Sequence, residues 1–300
     1  MNLENLKIGQ NYYKKEIEEI FDTNFGHSIS GINLRNLRDG TKAILLFSSV
    51  KGPYSDRSDE DIIYYSGEGM VGDQKLTNAN KALVNSNSEG RVIFGFEKTD
   101  PKSTEWVYMG LLQVLDYDYI PQNGRKVYEF KIQKLQFENP EIILKEQEEL
   151  VNEAISSEPV LTQMRDTKQT YRKIKVRSAA FKTKIKELYE DSCAVCGIRR
   201  YNKAQNPEVE AAHIYPVEKD GTDDLRNGLS LCKLHHWAFD GGLFVIEDNF
   251  EIKVLPEILN DQNYEEIYRF DGKKINLPKN KEIIPNKLYL SEHRKIHNFI

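Results

Sequence analysis

The stretch Asn227-Gly-Leu-Ser-Leu-Cys232-Lys-Leu-His235-His236-Trp-Ala-Phe-Asp240 decides the fold of the second half of the chain, because Cys232 and His235 stand at metal-ligand spacing in it. An earlier pair, Cys193-Ala-Val-Cys196, has the same spacing. Three thiolates and one imidazole make a closed tetrahedral shell, which is typical of a structural zinc and not of a catalytic one. The sequence therefore predicts that Cys193, Cys196, Cys232 and His235 hold a structural Zn²⁺.

The cysteine count argues in the same direction. Cys193, Cys196 and Cys232 are the three cysteines of the chain, an odd number that does not favour a disulfide framework. A thioredoxin-like redox pair is the alternative for Cys193 and Cys196, and it leaves Cys232 and His235 unexplained. Metal binding accounts for all four residues.

Length and composition indicate a globular protein. At 300 residues, the chain has room for two ordinary domains. Hydrophobic residues make up 39% and charged residues 30%, which is too much apolar material for a disordered chain. The first twenty residues lack the apolar run of a secretory signal, and no stretch approaches the roughly 18 apolar residues of a membrane span. We expect a cytoplasmic protein with no membrane partner. The net charge of −5 disfavours bulk electrostatic binding of nucleic acid, although it leaves the distribution of charge open.

Between the two ligand pairs lies Glu210-Ala-Ala-His213-Ile-Tyr-Pro216. His213, Asn227 and His236, with a cysteine pair on each side, resemble the motif of HNH nucleases over roughly residues 190–250. The resemblance implies two strands and a helix around a divalent metal, the ββα-metal fold, stapled by zinc. It also implies metal-dependent hydrolysis of a phosphodiester, which needs a base for water and a cation for the phosphate charge.

Each residue of the motif receives a role from this resemblance. His213 is the expected general base, since imidazole titrates near neutral pH without help. Asn227 supports the hairpin or orients that imidazole. His236 is the expected ligand of the catalytic metal, and Asp240, four residues later on a helix, shares its face. Mg²⁺ or Mn²⁺ is the expected ion, although imidazole also tolerates transition metals.

The chain departs from the family pattern at Ala212. Many HNH motifs carry Asp or His directly before the base, where it binds the metal. Here Asp240 replaces that ligand, or the ion is held mainly by water; an inactive remnant kept as a zinc-bound DNA reader is the alternative. His235 and His236 can exchange roles, but the spacing from Cys232 favours His235 for zinc. Three further histidines are interpreted as structural: His27, His293 and His297.

The first half of the chain is β-rich. Apolar and β-branched runs of strand length recur between Gly31 and Phe137, as in Ala43-Ile-Leu-Leu-Phe-Ser-Ser-Val50, and turn signals such as Gln122-Asn123-Gly124 separate them. The pattern favours a small curled sheet or a barrel. With the mixed elements of the second half, the predicted fold class is α+β.

The phrase Tyr64-Tyr65-Ser66-Gly67-Glu68-Gly69, followed by Gly72-Asp73-Gln74 and Thr77-Asn78-Ala79-Asn80, resembles the SRA (YDG) domain over roughly residues 30–135. This resemblance implies a PUA-like β-barrel that binds duplex DNA and holds a flipped 5-methylcytosine. Flipping requires aromatic platforms and polar groups for the base edge.

The resemblance also assigns residues to this modified-base pocket. Tyr65 supplies one platform, Ser66 an adjacent hydroxyl, Tyr54 the second aromatic, and Asp56 the carboxylate for the cytosine amino group. Asp59 competes with Asp56 for that role. The alternative is that the tyrosines are barrel core and the glycines are turn residues.

The two halves meet in a predicted helix and a basic stretch. Asn139-Pro140 is a typical helix start, and the following residues are helix formers without glycine. The helix either separates the halves or packs on one of them. We predict an SRA-like domain at 1–137, a helical linker at 138–176 and an HNH domain at 177–300. The basic run is a solvated helix face or a phosphate-contact surface. Its candidate DNA contacts are Arg172, Lys173, Lys175 and Arg177.

Together the two resemblances predict a type IV, McrA-like modification-dependent restriction endonuclease. It would recognise 5-methylcytosine or 5-hydroxymethylcytosine in double-stranded DNA by base flipping and serve antiphage defence in the prokaryotic cytoplasm, on the nucleoid. A homodimer is expected because one HNH site cuts one strand. The alternatives are a non-cleaving reader of modified DNA and a nuclease whose PUA-like domain reads a phosphorothioate mark or RNA.

Overall fold

The chain divides into two compact units, each with its own core. The computed structural model describes residues 3–38, 40–49, 57–59, 61–98, 100, 102–162 and 171–299. Unit 1 comprises Met1–Ile142 with Tyr201–Asn206, and unit 2 comprises Ile143–Arg200 with Pro207–Ile300. Among the described residues no helix has both the length and the apolar character needed to cross a membrane.

Unit 1 is built on one eight-stranded sheet. Its strands are β1 (Asn11–Tyr13), β2 (Ile32–Asn36), β3 (Lys42–Ser49), β4 (Arg57–Asp59), β5 (Ile62–Ser66), β6 (Val92–Lys98), β7 (Glu105–Gln122) and β8 (Arg125–Lys134). The order is β2-β3-β6-β7-β8-β5-β4, with β1 on β7, and every pairing is antiparallel except β3 with β6. The end strands β2 and β4 do not pair with each other in the part of the chain described. The sheet is mixed, and the predicted closed barrel is not confirmed.

Helices cover this sheet, which explains the continuous apolar run of β3. Ile44 and Leu46 pack in one core cluster with Leu83 of α2 (Asn78–Val84). Strand α-carbons alternate between faces, so the intervening residues point to the opposite side. That side carries α1 (Lys14–Phe21), whose Phe21 meets Phe94 edge-to-face with ring centroids 4.9 Å apart.

One short segment lies in a different unit from the one predicted for it, whereas the helix after Asn139 begins at the predicted position. Tyr201–Asn206 was expected in the HNH domain, but it joins unit 1, where the amides of Asn202 and Asn206 both donate to the Leu115 carbonyl at 2.9 Å. Helix α3 (Pro140–Ser156) begins where predicted, and Asn139 accepts from the Ile142 N–H at 3.3 Å as its N-cap. No sequence pattern indicates that Tyr201–Asn206 joins unit 1, because Leu115, which holds this segment, lies in the distant strand β7.

Most of α3 belongs to unit 2. Leu150 and Ala154 are buried in the same core cluster as Phe181 and Ile185 of α4 (Tyr171–Leu188). Apolar residues four apart share one helix face, and in α3 this face packs against the core of unit 2. Of the two placements that the sequence leaves open for this helix, its residues Leu150 and Ala154 therefore follow the second, packing on one half.

A hairpin and a helix form the centre of unit 2. Strands β9 (Glu210–His213) and β10 (Gly228–Leu231) are antiparallel, with His213 opposite Gly228, and α5 (Lys233–Asp240) follows at once. Gly228 has no side chain because a Cβ there would overlap Ile185 and Phe181 of α4. The remaining elements of the unit are β11 (Phe244–Ile246), β12 (Ile252–Val254), α6 (Glu265–Tyr268) and α7 (Lys287–Ile296).

Candidate functional site

The four predicted zinc residues gather in one place, which we call the Cys3His cluster. The ligand atoms of Cys193, Cys196, Cys232 and His235 all lie within 4.8 Å of one another. His235 Nδ1 is 3.6 Å from Cys193 Sγ and 3.1 Å from Cys232 Sγ. Tetrahedral Zn²⁺ with the usual bond lengths separates S and N ligands by about 3.6 Å. The residues fit a zinc ion in number, type and spacing.

The electrostatics of the cluster also favour a cation. Burial lowers the pKa of His235, but hydrogen bonds with Cys193, Cys196 and Cys232 outweigh it and raise the pKa to about 11. His235 Nε2 lies 3.3 Å from the carbonyl of Glu266 and donates to it, so Nδ1 is the ring nitrogen that faces the sulfurs. His235, not His236, therefore belongs to this cluster.

His213 ends strand β9 and is held by two groups that the sequence did not reveal. Its ring stacks on Phe181 with centroids 4.2 Å apart and planes 13° from parallel. Its Nε2 lies 2.8 Å from Asp223 Oδ1. A carboxylate accepts hydrogen bonds, so Nε2 carries the proton and Nδ1 keeps its lone pair. This arrangement makes Nδ1 the atom that can take a proton.

Asn227 supports the loop and does not touch the imidazole. It is fully buried. Its side-chain oxygen accepts from the Tyr215 N–H at 2.8 Å, and its amide donates to the carbonyls of Tyr215 at 3.1 Å and Thr222 at 2.9 Å. Of the two roles left open by the sequence, the structure places Asn227 in the supporting one, and Asp223 takes the orienting one.

His236 has a carboxylate at each ring nitrogen. Nδ1 lies 2.8 Å from Glu210 Oε2, and Nε2 lies 3.4 Å from Asp240 Oδ2, one helical turn further on. The shorter contact assigns the ring proton to Nδ1, which leaves Nε2 and the adjacent Asp240 carboxylate as donors of electron pairs. One imidazole nitrogen with one carboxylate is a suitable pair of ligands for a divalent metal. Sequence reasoning missed Glu210 because its partner lies 26 residues away.

These groups face a cavity of about 450 Å³, which we call the histidine cavity. Its ionisable lining residues are His213, Glu218, His236, Asp240, His293 and His297. Burial raises the pKa of Asp240, and Glu218 and Glu210 raise it further, while His236 and His297 oppose the rise. Negative charge near a partly buried carboxyl group such as Asp240 favours a bound cation. The oxygen and nitrogen donors fit Mg²⁺ or Mn²⁺.

Ala212 does not face this cavity. It is fully buried, pairs with Leu229 and belongs to the hydrophobic core of unit 2, whereas its neighbours Ala211 and His213 line the cavity. Successive residues of a strand point to opposite faces. In this register, a ligand at position 212 would be directed into the core, so alanine there is a packing residue.

Two histidines interpreted as structural come to the cavity from α7. The His293 ring stacks on Phe239 with centroids 3.8 Å apart, its Nε2 lies 3.3 Å from the Phe239 carbonyl, and burial lowers its pKa to about 3. His297 lies beside it, with ring centroids 4.5 Å apart. The four-residue spacing was the available signal in the sequence. His27 is exposed in unit 1.

The structure pairs Arg177, one of the predicted DNA contacts, with two carboxylates. Its guanidinium pairs with Glu153 at 2.5 Å and Glu146 at 3.3 Å, both on α3. Burial lowers the pKa of Arg177, and the two glutamates more than reverse that effect. These pairs give Arg177 a structural role within unit 2, and its DNA contact stays a prediction. The side chains of Arg172, Lys173 and Lys175 lie outside the described residues, so their DNA contacts stay a prediction.

Part of the predicted base pocket can be located in unit 1. Tyr65 and Ser66 are buried on β5, and Tyr65 packs in a hydrophobic core cluster with Phe130, its partner on β8. Its hydroxyl lies against Gly31, where a Cβ would overlap it. Tyr54 and Asp56 lie outside the described residues, as does the side chain of Asp59. The roles of these residues remain predictions.

The glycine-rich phrase after β5 is held by two buried amides. Asn80 accepts from the Glu68 N–H at 2.7 Å and donates to the Glu68 carbonyl at 2.9 Å. Gln74 donates to the Gly67 carbonyl, and a Cβ on Gly67 would overlap both amide side chains. The spacing of Gly67, Gln74 and Asn80 in the sequence therefore has a structural reason, which is to fix this loop.

Comparison with known proteins matches both parts of the chain. The family described as ScoMcrA-like, SRA domain matches residues 8–154, and the HNH endonuclease family matches residues 193–247. The solved structure of the modification dependent TagI restriction endonuclease aligns with 98% of this chain and 94% of its own length, at 19% identity and a TM-score of 0.57. That likeness extends the shared fold over both units.

Curated relatives match the first unit. Two YDG domain-containing proteins of Arabidopsis thaliana are 31% identical over 143 residues and 33% identical over 115 residues. These matches cover 43% and 34% of this chain. The chain spans about a third of the length of each relative, since the matched shares are 34% and 35%.

Proposed function

We propose that this chain, which joins an SRA domain to an HNH endonuclease domain, is a modification-dependent restriction endonuclease. The observation that carries the proposal is the histidine cavity, where His213 with Asp223 and His236 with Asp240 face one space. A base with a free lone pair and a metal-binding pair are the parts that phosphodiester hydrolysis needs. The joined SRA domain supplies selection of the substrate.

His213 activates the water. Its Nδ1 takes a proton from the water that attacks the scissile phosphorus, and the Asp223 carboxylate stabilises the imidazolium that forms. The stacked Phe181 ring fixes the plane of the imidazole, so Nδ1 is held toward the cavity before substrate binds. Asn227 holds the loop that carries Asp223 through its bond to Thr222.

His236 Nε2 and Asp240 hold the catalytic divalent cation, for which we propose Mg²⁺ or Mn²⁺. Such an ion neutralises charge on the scissile phosphate and the leaving oxygen when bound. Glu210 fixes the ring of His236 through Nδ1, as carboxylates commonly do for metal-binding histidines. The Cys3His cluster, which includes the preceding residue His235, holds a structural Zn²⁺.

The SRA domain reads a modified cytosine, 5-methylcytosine or 5-hydroxymethylcytosine, in duplex DNA. We assign Tyr65 and Tyr54 as platforms for the flipped base, Ser66 as an adjacent hydroxyl and Asp56 as the acceptor for the cytosine amino group. Extruding a base costs a few kcal/mol of stacking and pairing, so only a base that fits the pocket offsets that cost. The structure supports this assignment through the buried amide network that fixes the loop after Ser66.

Double-strand cleavage needs two copies of the site, so we propose a homodimer on DNA, acting against foreign modified DNA in the prokaryotic cytoplasm. Phosphate contacts carry little sequence information, which lets the nuclease unit cut beside any modified site that the reader selects.

A non-cleaving reader of modified DNA is the second candidate, and the observation that favours it is the small number of cation ligands on α5. For this candidate, a site limited to His236 and Asp240 holds the cation too weakly for catalysis. The two candidates make the same prediction for selective DNA binding and opposite predictions for cleavage.

The decisive experiment is plasmid cleavage in Mg²⁺ and in Mn²⁺. The substrates are matched DNAs that are unmodified or carry 5-methylcytosine, 5-hydroxymethylcytosine or phosphorothioate, and His213→Ala is the control. The proposal predicts cleavage of modified-cytosine DNA that the variant lacks. Selective binding without cleavage in either metal would establish the reader instead, and equal cleavage of all four substrates would refute modification dependence.

A further inference from the structure

Helix α7 supplies a wall of the histidine cavity that lies outside the matched HNH family region. The family match ends at residue 247, whereas α7 spans Lys287–Ile296 and places His293 and His297 against the cavity. Residues four apart on a helix share a face, so both imidazoles approach from the same side. The catalytic site of this chain is therefore larger than its family motif.

The hairpin leaves the cation short of a protein ligand. Ala212 points into the core, and Glu210 is engaged with His236 Nδ1. His236 Nε2 and Asp240 remain as a pair, and two protein ligands hold a divalent ion weakly. A third donor has to come from another element of the cavity lining, which offers Glu218 in the connection after β9 and His297 at the C-terminal end of α7.

His297 is placed to be that donor. Its ring lies directly on Gly242, where any Cβ would overlap the imidazole, and Gly242 has a φ of +67°. Both features allow the backbone after Asp240 to turn closely under the ring. His297 lines the histidine cavity together with His236 and Asp240.

His293 holds this arrangement rigid. It is 3% exposed, stacks on Phe239 and donates from Nε2 to the Phe239 carbonyl, which ties α7 to α5. Its Nδ1 is buried and has no hydrogen-bond partner within the described part of the chain. An unpaired buried acceptor beside a polar cavity indicates a donor that the protein itself does not supply, such as water bound to an ion.

We propose that His297 is a third protein ligand of the catalytic divalent cation, in place of the ligand that position 212 does not provide. The inference rests on the proposed nuclease function. It makes the cation site a product of three elements: α5 gives His236 and Asp240, α7 gives His297, and the β9 residue Glu210 orients His236.

The test is Mn²⁺ binding to the full chain, followed by electron paramagnetic resonance. We expect His297→Ala to weaken Mn²⁺ binding at least about tenfold, the range seen when even supporting residues of metal sites are removed. His297→Glu should bind within a few-fold of the wild type, because a carboxylate also ligates Mn²⁺. His27→Ala is the matched control and should bind unchanged. Zinc content and the thermal midpoint report whether each variant is folded.

A second readout needs no variant to fold. Spin-echo spectra of bound Mn²⁺ count the imidazole nitrogens coupled to the ion, and the proposal predicts two in the wild type. A single coupled nitrogen, or unchanged affinity in a folded His297→Ala variant, would overturn the role of His297. His236→Ala separates this failure from that of the proposed function. If Mn²⁺ binding survives in His236→Ala, the cation site itself is misplaced.

Discussion

The Cys3His cluster and the histidine cavity share helix α5, where the adjacent residues His235 and His236 each belong to one of them, and the two sites differ in how their ligands are arranged. Among the described residues, the cluster is the place where three or more metal-ligating side chains bring all their ligand atoms within 4.8 Å. The cavity spreads its donors around about 450 Å³. A closed shell of four ligands favours permanent binding of a structural metal ion. Donors spread around a cavity leave room beside the ion for water and substrate. One short helix thus contributes to both a candidate structural site and a candidate catalytic site.

The sharpest way to test the structural side is Cys232→Ser. Removing one ligand of a closed shell takes away binding free energy that also stabilises the fold, on the order of 10 kcal/mol for small zinc domains. We expect loss of zinc, a large fall in the thermal midpoint of unit 2 and no detectable cleavage. Metal analysis by mass spectrometry and differential scanning calorimetry provide the measurement.

Ser192→Ala, next to the cluster and outside it, is the control and should retain one zinc per chain. A Cys232→Ser variant that kept full zinc and a normal midpoint would show that the cluster is not a structural metal site.

His213→Ala tests the catalytic side. Loss of a general base is expected to lower the cleavage rate by about 10² to 10⁴-fold. Zinc content and DNA affinity should not change, because His213 touches neither the Cys3His cluster nor the base pocket. Single-turnover cleavage of a modified duplex gives the rate. A variant that cuts within a few-fold of the wild type would assign the base elsewhere.

Asp223→Asn probes the orientation of that base. The amide can donate to Nε2 and so favours the wrong tautomer, which would place the proton on Nδ1. We expect a rate about 10²-fold lower with unchanged metal binding. Nitrogen-15 chemical shifts of the His213 ring identify the protonated nitrogen. If the wild-type ring carries its proton on Nδ1, Asp223 does not orient the base as we describe.

Arg177→Ala has the smallest expected effect on cleavage. It tests whether this arginine stabilises unit 2 or contacts DNA. The variant loses charged hydrogen bonds to Glu146 and Glu153, so unit 2 should lose about 1 to 3 kcal/mol of unfolding free energy. The salt dependence of DNA binding should stay the same, since no phosphate contact is removed.

Lys182→Ala, an exposed lysine on the same helix, is the matched control and should leave stability unchanged within about 0.5 kcal/mol. A flatter salt dependence in Arg177→Ala would restore this arginine as a phosphate contact.

Local spacing explains what the sequence could predict. The ligands of the Cys3His cluster come as two short pairs, and His236 and Asp240 are one helical turn apart, so each pair is readable without the fold. The SRA and HNH resemblances also rest on short phrases, and the family matches confirm both domains.

Contacts between residues far apart in the chain explain which features could not be predicted from the sequence. Asp223 meets His213 across a turn between β9 and β10, and Glu210 meets His236 across 26 residues, with no spacing rule for either. The direction of Ala212 depends on the strand register, and the neutralisation of Arg177 depends on a helix that had been interpreted as a linker. Charge and side-chain type alone do not determine which face a residue takes.

The most direct test of the account is to remove the loosely held metal and follow both sites at once. The full chain is dialysed against EDTA, its zinc is measured, and cleavage of 5-methylcytosine plasmid is followed before and after Mg²⁺ or Mn²⁺ is restored. The account predicts one zinc per chain throughout, no cleavage after dialysis, and recovery on addition of the ion. Cleavage that persists with zinc alone, or that cannot be recovered while zinc remains bound, would contradict it.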